Sequence, residues 1–326
     1  MSTPTTAPAL GHRPAAAPAE DSNALSRPLA AWAGAIALLG WALMSLGAFV
    51  RASESGLGCP DWPACHGKLV SSGHHAMIEE LHRWLAAAVI LGTIGLAVAI
   101  FRFHRADRRL RRSIILVLAL LALQAALGGV TVILRNVSWT VVAHYGTAAL
   151  FVASITSVAV RLALPARPAM HDSFSRLVSW FAGLSFGLLV LGSTVANTDS
   201  HIACGQGFPL CNGSLLPNLD HHVLLNMTHR AWAGIMLMLA LWVLIRSRRE
   251  QMGKPAIRRA AATVALLYLA QAGLGIAVVG LGENTALDVA HSSLGSLTWL
   301  AITALFSLTP RLEIVHQRDT EMADAI

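Results

Sequence analysis

Residues 79–83 introduce the segment around which the chain is organised. They read Glu79-Glu80-Leu81-His82-Arg83 and stand where a long apolar run begins. Ionisable groups are costly at the edge of an apolar segment, so they usually mark a site. The same frame recurs as Asn226-Met227-Thr228-His229-Arg230, with an amide in place of the first carboxylate. The recurrence indicates a duplicated fold, and the amide indicates that the two halves differ in chemistry.

Composition identifies the class of protein. Hydrophobic residues make up 55% of the 326 residues and charged residues 13%, whereas soluble domains carry about 25% charged residues. Several apolar runs are each long enough to cross a hydrocarbon core of about 30 Å. They lie near 29–50, 78–101, 113–134, 139–161, 177–196, 223–245, 260–280 and 286–308. The sequence therefore predicts an all-α membrane protein with eight transmembrane helices.

The net charge of +7 is a topology signal and not a nucleic-acid footprint. Arginines cluster in the loops that follow the second, fourth and sixth apolar runs. In contrast, Lys68 is the only lysine or arginine in the loop at 52–77, and the loop at 197–222 has none. Basic loops remain on the cytoplasmic side of a membrane. Both termini are therefore expected in the cytoplasm of a cell whose inner membrane holds the protein.

The polar residues of the two halves keep one register. An offset of 147 residues, the distance from His82 to His229, also relates Gln124 to Gln271 and His144 to His291. An even number of spans in each half makes the repeats parallel, related by a pseudo-two-fold axis along the membrane normal. The predicted units are four-helix bundles at 29–163 and 177–308, a linker at 164–176, a disordered cytoplasmic tail at 1–28 and a second tail at 309–326.

Four histidines are expected at similar depth near the outer face. His82 and His229 begin the second and sixth apolar runs, and His144 and His291 lie about one turn inside the fourth and eighth. Paired imidazoles across a four-helix bundle suit axial ligation of haem iron. A single histidine would more often form an interhelical hydrogen bond, and a proton relay is a further alternative. Zinc fits less well because each pair has no third soft ligand nearby.

The charged neighbours of these histidines have two interpretations each. Glu79 shares a helix face with His82, and a carboxylate there can transfer protons or stabilise positive charge. An acidic residue is also favoured in a first helical turn, which describes Glu80 better. Arg83 and Arg230 can pair with haem propionates or extend towards lipid headgroups. Since Asn226 replaces the acid, the N-terminal half is expected to be the catalytic one.

All four cysteines fall in the two long outer loops. Cys59 and Cys65 lie in the first, Cys204 and Cys211 in the second. Paired cysteines on an oxidising face favour disulfides. The first pair is compatible with either a redox-active or a structural disulfide, and the second is interpreted as structural.

In combination these residues resemble one family, the haem A synthases of CtaA type. The similarity rests on Glu79-x-x-His82-Arg83, on His229-Arg230, on the two further helix histidines, on both cysteine pairs and on the duplicated layout. It covers about residues 29–308.

The resemblance implies an oxidoreductase that converts the C8 methyl group of haem O into a formyl group by successive hydroxylation. His82 and His144 would then hold the substrate haem O, with Glu79 as the essential carboxylate, and His229 and His291 would ligate a haem b cofactor. The Cys59–Cys65 disulfide would serve electron transfer or haem handover. Haem O would come from a haem O synthase, and the product would serve haem-copper oxidase assembly. The electron acceptor and any homo-oligomer stay open.

Two other functions explain part of the pattern. A dihaem b-type electron-transfer cytochrome requires the four histidines but not Glu79. A membrane thiol oxidoreductase requires Cys59 and Cys65 but not the histidines. A transporter is less favoured, because no unwound or acidic segment lies at the membrane midplane.

Overall fold

The computed structural model describes residues 20–65, 67, 72–164, 173–214, 220–282 and 284–309. Most of the predicted tail at 1–28, most of the linker at 164–176 and all but the start of the tail at 309–326 lie outside the described residues.

Within these ranges, eight helices are long and apolar enough to cross a membrane. They are α1 (Glu20–Ala52), α2 (His74–Phe103), α3 (Arg108–Ile133), α4 (Ser138–Ala163), α5 (Ser173–Ala196), α6 (His221–Glu250), α7 (Pro255–Leu281) and α8 (Thr285–Leu308). The prediction of an all-helical, multi-pass membrane protein is confirmed.

Most of the helices extend beyond the apolar runs from which they were predicted. The first helix begins at Glu20. Residues 20–28 are therefore helical, although they were predicted to be part of a disordered tail. Adding residues to an existing helix costs little, because each one gains a backbone hydrogen bond. At the end of α6, beyond the apolar run at 223–245, an ion pair between Arg246 and Glu250 supports the last helical turn. Hydropathy identifies only the part of a helix inside the membrane, which is why these ends were missed.

Each half of the chain packs as a bundle of four neighbouring helices. In the first half α1 contacts α2 and α4, and α3 contacts α2 and α4; in the second half α5 to α8 repeat this order. The halves meet where α8 contacts α1 and α4, and where α4 contacts α5. These contacts agree with two parallel repeats, and the two-fold axis itself stays a prediction.

Interhelical hydrogen bonds join the two bundles. The indole Nε1 of Trp299 donates to the Ala149 carbonyl at 2.8 Å, in a buried position. On the neighbouring helix pair, Trp41 Nε1 donates to the carbonyl of Ser293 at 2.9 Å. Helices gain no hydrophobic advantage from association within lipid, so packing and such hydrogen bonds carry the interface.

The outer loop before α6 ends in a helix cap. The side chain of Asp220 accepts a hydrogen bond from the Val223 N–H at 2.9 Å. This bond favours the ionised carboxylate and holds the pKa of Asp220 below its ordinary value. The cap fixes the start of α6, two turns before His229.

Candidate functional site

His82 lies in α2 against the backbone of α1. Its Cε1 atom is 3.2 Å from the point where a Cβ on Gly47 would stand. Its Nδ1 atom is buried and has no hydrogen-bond partner. A side chain at Gly47 would press on the imidazole, which would have to shift by a few tenths of an ångström. His82 is thus held by close packing while one ring nitrogen stays unpaired.

His144 occupies the corresponding position on α4. Its Cε1 lies 3.1 Å from the Cβ point of Gly128 on α3, and its Nε2 is 3.2 Å from Nε2 of Gln124. The Nδ1 atom is again buried without a partner. His82 and His144 are close enough to interact electrostatically, so the structure brings the first predicted pair together.

The second half repeats this arrangement. Cε1 of His229 lies 3.0 Å from the Cβ point of Gly192, and Cε1 of His291 lies 3.1 Å from that of Gly275. Gln271 approaches the ring nitrogens of His291 at 3.3 Å. His229 and His291 also lie within electrostatic range of one another. In each bundle the two histidines therefore lie near one another, and their ligation of iron stays a prediction.

The glycine contacts of α1 and α5 were not identified from the sequence. Gly128 and Gly275 are related by the same offset of 147 residues as the histidines. Gly47 and Gly192 had a weaker signal: each stands at the same distance before the first cysteine of its outer loop. That relation becomes informative only when the helices are seen to converge on the imidazoles.

The residues fit axial ligation of haem iron. An unpaired buried polar atom costs about 1–3 kcal/mol, and three of the four histidines carry one at Nδ1. Among the described residues, no group of three or more histidine, cysteine or acidic side chains is arranged to hold a metal ion. Two imidazoles without a third ligand suit a metal whose other ligands come with the cofactor.

Glu79 is buried on α2 one turn before His82, and each of its carboxylate oxygens accepts a hydrogen bond. Oε2 accepts a hydrogen bond from the backbone N–H of Cys59 at 2.9 Å. Oε1 accepts one from Nη2 of Arg83 at 2.6 Å. The side chain therefore connects α2 to the first outer loop. Its two bonds hold the carboxylate on the helix face of His82.

Arg83 fastens the same loop. Its Nη1 donates to the carbonyls of Asp61, Pro63 and Ala64 at 2.9, 3.3 and 2.6 Å. A guanidinium group offers five donors in a fixed plane, so one side chain can bind several carbonyls. These contacts add a third role to the two foreseen for Arg83, and its contact with a propionate stays a prediction.

In the second half an arginine plays the same part, while the acid is missing. Arg230 Nη1 donates to the carbonyls of Gly207 and Leu210 at 2.8 and 3.2 Å. The amide of Asn226 is buried and donates to the Ser200 carbonyl at 2.6 Å. The second loop is therefore anchored without a carboxylate. The propionate role predicted for Arg230 also stays a prediction.

Both predicted disulfides are confirmed. Cys59 is bonded to Cys65 and Cys204 to Cys211, and all four side chains are buried. The first disulfide closes the loop that Glu79 and Arg83 hold, so the carboxylate, the loop and the disulfide form one connected unit.

The fold and these side chains define a multi-pass membrane protein with two neighbouring buried histidines in each half. Comparison with known families then gives the identity of the group. The chain belongs to the COX15-CtaA family, described as "Cytochrome oxidase assembly protein", whose model matches residues 30–80 and 71–303.

Several curated relatives carry one name, "Heme A synthase". The protein of Symbiobacterium thermophilum is 30% identical over 294 residues, covering 84% of this chain and 94% of that protein. The Halalkalibacterium halodurans protein is 25% identical over 279 residues, covering 82% and 93%. The Exiguobacterium protein is 28% identical over 311 residues, covering 92% and 97%. The resemblance noted from the sequence is thereby confirmed over most of the chain.

Proposed function

We propose that this chain is a haem A synthase, an oxidoreductase that converts the C8 methyl group of haem O into a formyl group. The observation that carries the proposal is the asymmetry between two otherwise matched sites. Each bundle pairs two histidines, but only the N-terminal one adds a buried carboxylate, Glu79, where the other has Asn226. A protein that only transferred electrons would need no such acid. The names of the relatives support the same reaction.

The substrate is assigned to the N-terminal bundle. His82 and His144 would bind the iron of haem O, and His229 and His291 would bind a resident haem b. The reason is that the group able to take part in proton transfer lies beside the first pair. Arg83 and Arg230 stand next to a histidine of each pair, where a guanidinium group can also meet a propionate.

The overall conversion requires water and an electron acceptor. A methyl group and one water give a formyl group, with release of four protons and four electrons. A haem b held by His229 and His291 would supply one-electron redox chemistry.

The chain's own contribution is a fixed carboxylate. Glu79 presents an oxygen that can take a proton from the attacking water, and its negative charge stabilises positive charge that develops on the substrate. Arg83 and the Cys59 N–H hold the two oxygens, so proton uptake requires one of these bonds to yield. The buried position keeps bulk water away from the group.

The charge pattern of the loops supports a reaction near the outer face of the cell membrane. Basic loops support a cytoplasmic location for both termini. Haem O would enter from a haem O synthase, and the product would pass to haem-copper oxidase assembly, in agreement with the family description.

Replacement of Glu79 by glutamine tests the proposal. The purified variant, supplied with haem O and an electron acceptor, is expected to retain haem while haem A disappears from the extracted haems, as measured by mass. Haem O or a hydroxylated intermediate should accumulate. The neighbouring Glu80→Gln variant is the matched control and should still form haem A. Undiminished haem A from Glu79→Gln would remove the catalytic role, and a wild type that yields only haem B and haem O would favour the electron-transfer cytochrome.

A further inference from the structure

Trp62 packs on α3, the helix that supports His144, and has no role in the reaction as described so far. Its indole atoms Cδ2, Cε3 and Cε2 lie 3.3, 3.4 and 3.5 Å from the point where a Cβ on Gly129 would be. Gly128, the preceding residue of α3, is the glycine that contacts His144. The indole therefore packs on the α3 backbone one residue away from the contact of a candidate iron ligand.

The loop that carries Trp62 is tied to α2 on both sides of the indole. Arg83 donates to the carbonyls of Asp61 and Pro63, the two chain neighbours of Trp62. Arg83 itself follows His82 directly. The loop thus reaches from the helix of one candidate ligand to the helix that supports the other. Its backbone is anchored, yet the Trp62 side chain is 50% exposed.

The second bundle has neither the indole nor the glycine of this contact. Phe208 corresponds to Trp62, and at the common offset Ile276 corresponds to Gly129. A branched side chain thus replaces the glycine that admits the indole. Phe208 and Ile276 are about half-exposed, at 49% and 45%. The difference occurs in the same half as the Glu79 carboxylate, so it follows the proposed division between substrate and cofactor sites.

We propose that Trp62 is a substrate-contacting residue, whose indole packs against the apolar edge of the tetrapyrrole in the N-terminal bundle and determines how tightly it is held. The inference rests on the proposed function, because it needs a haem substrate at His82 and His144. An indole offers one of the largest flat apolar surfaces among side chains, and it pairs well with planar aromatic ligands. Gly129 is then the residue that gives the indole room.

The experiment measures release of haem O from the full-length protein in lipid nanodiscs. Protein loaded with haem O is mixed with an excess of a haem-scavenging protein, and the dissociation rate is followed by absorbance. Trp62→Leu is expected to release haem O about tenfold faster than wild type. Trp62→Phe should show a smaller increase. Gly129→Ala, which keeps the indole but displaces it, should also accelerate release and covers the case in which Trp62→Leu does not fold.

Phe208→Leu is the matched control from the other bundle and should leave the rate unchanged. Tryptophan is also common at the membrane surface, where it anchors proteins in the headgroup region. An anchoring role would give wild-type haem O release in all Trp62 variants, or the same acceleration in Phe208→Leu, and either result overturns the inference.

A separate turnover assay distinguishes this inference from the function on which it rests. If the wild type holds haem O but forms no haem A, while Trp62→Leu still releases haem O faster, the proposed reaction fails and the contact stands. If the wild type forms haem A and Trp62→Leu releases haem O at the wild-type rate, only the contact fails. A wild type that binds no haem O at the first histidine pair overturns both.

Discussion

Replacement of Gly192 by alanine should weaken haem binding in the C-terminal bundle. The new Cβ would stand 3.0 Å from Cε1 of His229, whereas ordinary van der Waals contact begins at 3.4 Å. The imidazole would have to move by about 0.4 Å within a packed helix pair. Overpacking of this kind costs about 1–3 kcal/mol, which corresponds to roughly 5- to 150-fold in affinity if the cost falls on the bound state.

The assay compares haem content and haem dissociation in matched variants. Gly183→Ala lies on the same helix, and nothing stands within 4 Å of its Cβ point. This control should keep its haem and gain slight stability, because alanine favours the helix over glycine by about 1 kcal/mol. In the first bundle, Gly47→Ala is expected to disturb the site of His82, where the corresponding distance is 3.2 Å. Its control is Gly34→Ala, which also meets nothing within 4 Å.

The two bundles should respond separately. Gly192→Ala is expected to change the absorption spectrum and retention of haem b, while haem O binding in the first bundle persists. The reasoning fails if Gly192→Ala binds haem b with wild-type affinity and an unaltered spectrum. It fails equally if Gly183→Ala loses as much haem, since the effect would then reflect α5 in general and not the contact with His229.

Two further variants examine the outer loops. Arg83→Lys and Arg230→Lys should both lower the melting temperature, because lysine cannot bind several carbonyls at once. Arg83→Lys should also lower haem A formation by about tenfold, for one lost charge-assisted bond to Glu79, while haem b stays bound. Wild-type haem A formation in Arg83→Lys would contradict the role of Arg83 in holding the carboxylate. The double variant Cys59→Ser/Cys65→Ser should release the loop and reduce haem A formation while haem b stays bound, measured by spectrum and extracted haems; full haem A formation would show that the disulfide is not needed to hold the carboxylate.

The sequence was sufficient to predict the helices and the histidine pairs for a specific physical reason. Polar residues are rare within membrane-spanning runs, so each one stands out, and duplication supplies a second copy that checks the register. The offset between His82 and His229 connects Gln124 to Gln271 in the same way. Both glutamines approach histidine rings in the structure, although no partner for either was predicted.

Contacts that depend on the approach of two helices could not be predicted. Gly47 lies in α1 among other small residues, and only the three-dimensional arrangement distinguishes it from Gly34, which contacts nothing within 4 Å. The hydrogen bonds from Arg83 to the loop carbonyls were likewise not predicted. Every residue has a backbone carbonyl, so the sequence does not indicate which of them an arginine will bind. The start of α1 was misplaced since hydropathy does not detect helix outside the membrane.

The differences between the two bundles concern one region and not the ligand set. Both halves keep two histidines, a glycine against each histidine, an arginine that holds an outer loop, and a disulfide within that loop. They differ in two features. The first half has Glu79 where the second has Asn226, and only the first half has the Trp62–Gly129 contact.

Both differences lie around the loop that Arg83 anchors, at the start of α2. The proposed division of roles accounts for this distribution: if both bundles hold haem, one bundle can carry the acid and the substrate contact while the other holds the cofactor. A carboxylate placed in the wrong bundle should therefore not create a second active site. The Asn226→Asp variant supplies the acid beside His229 but neither the indole nor its glycine, so the proposed division of roles requires haem b there to remain unmodified.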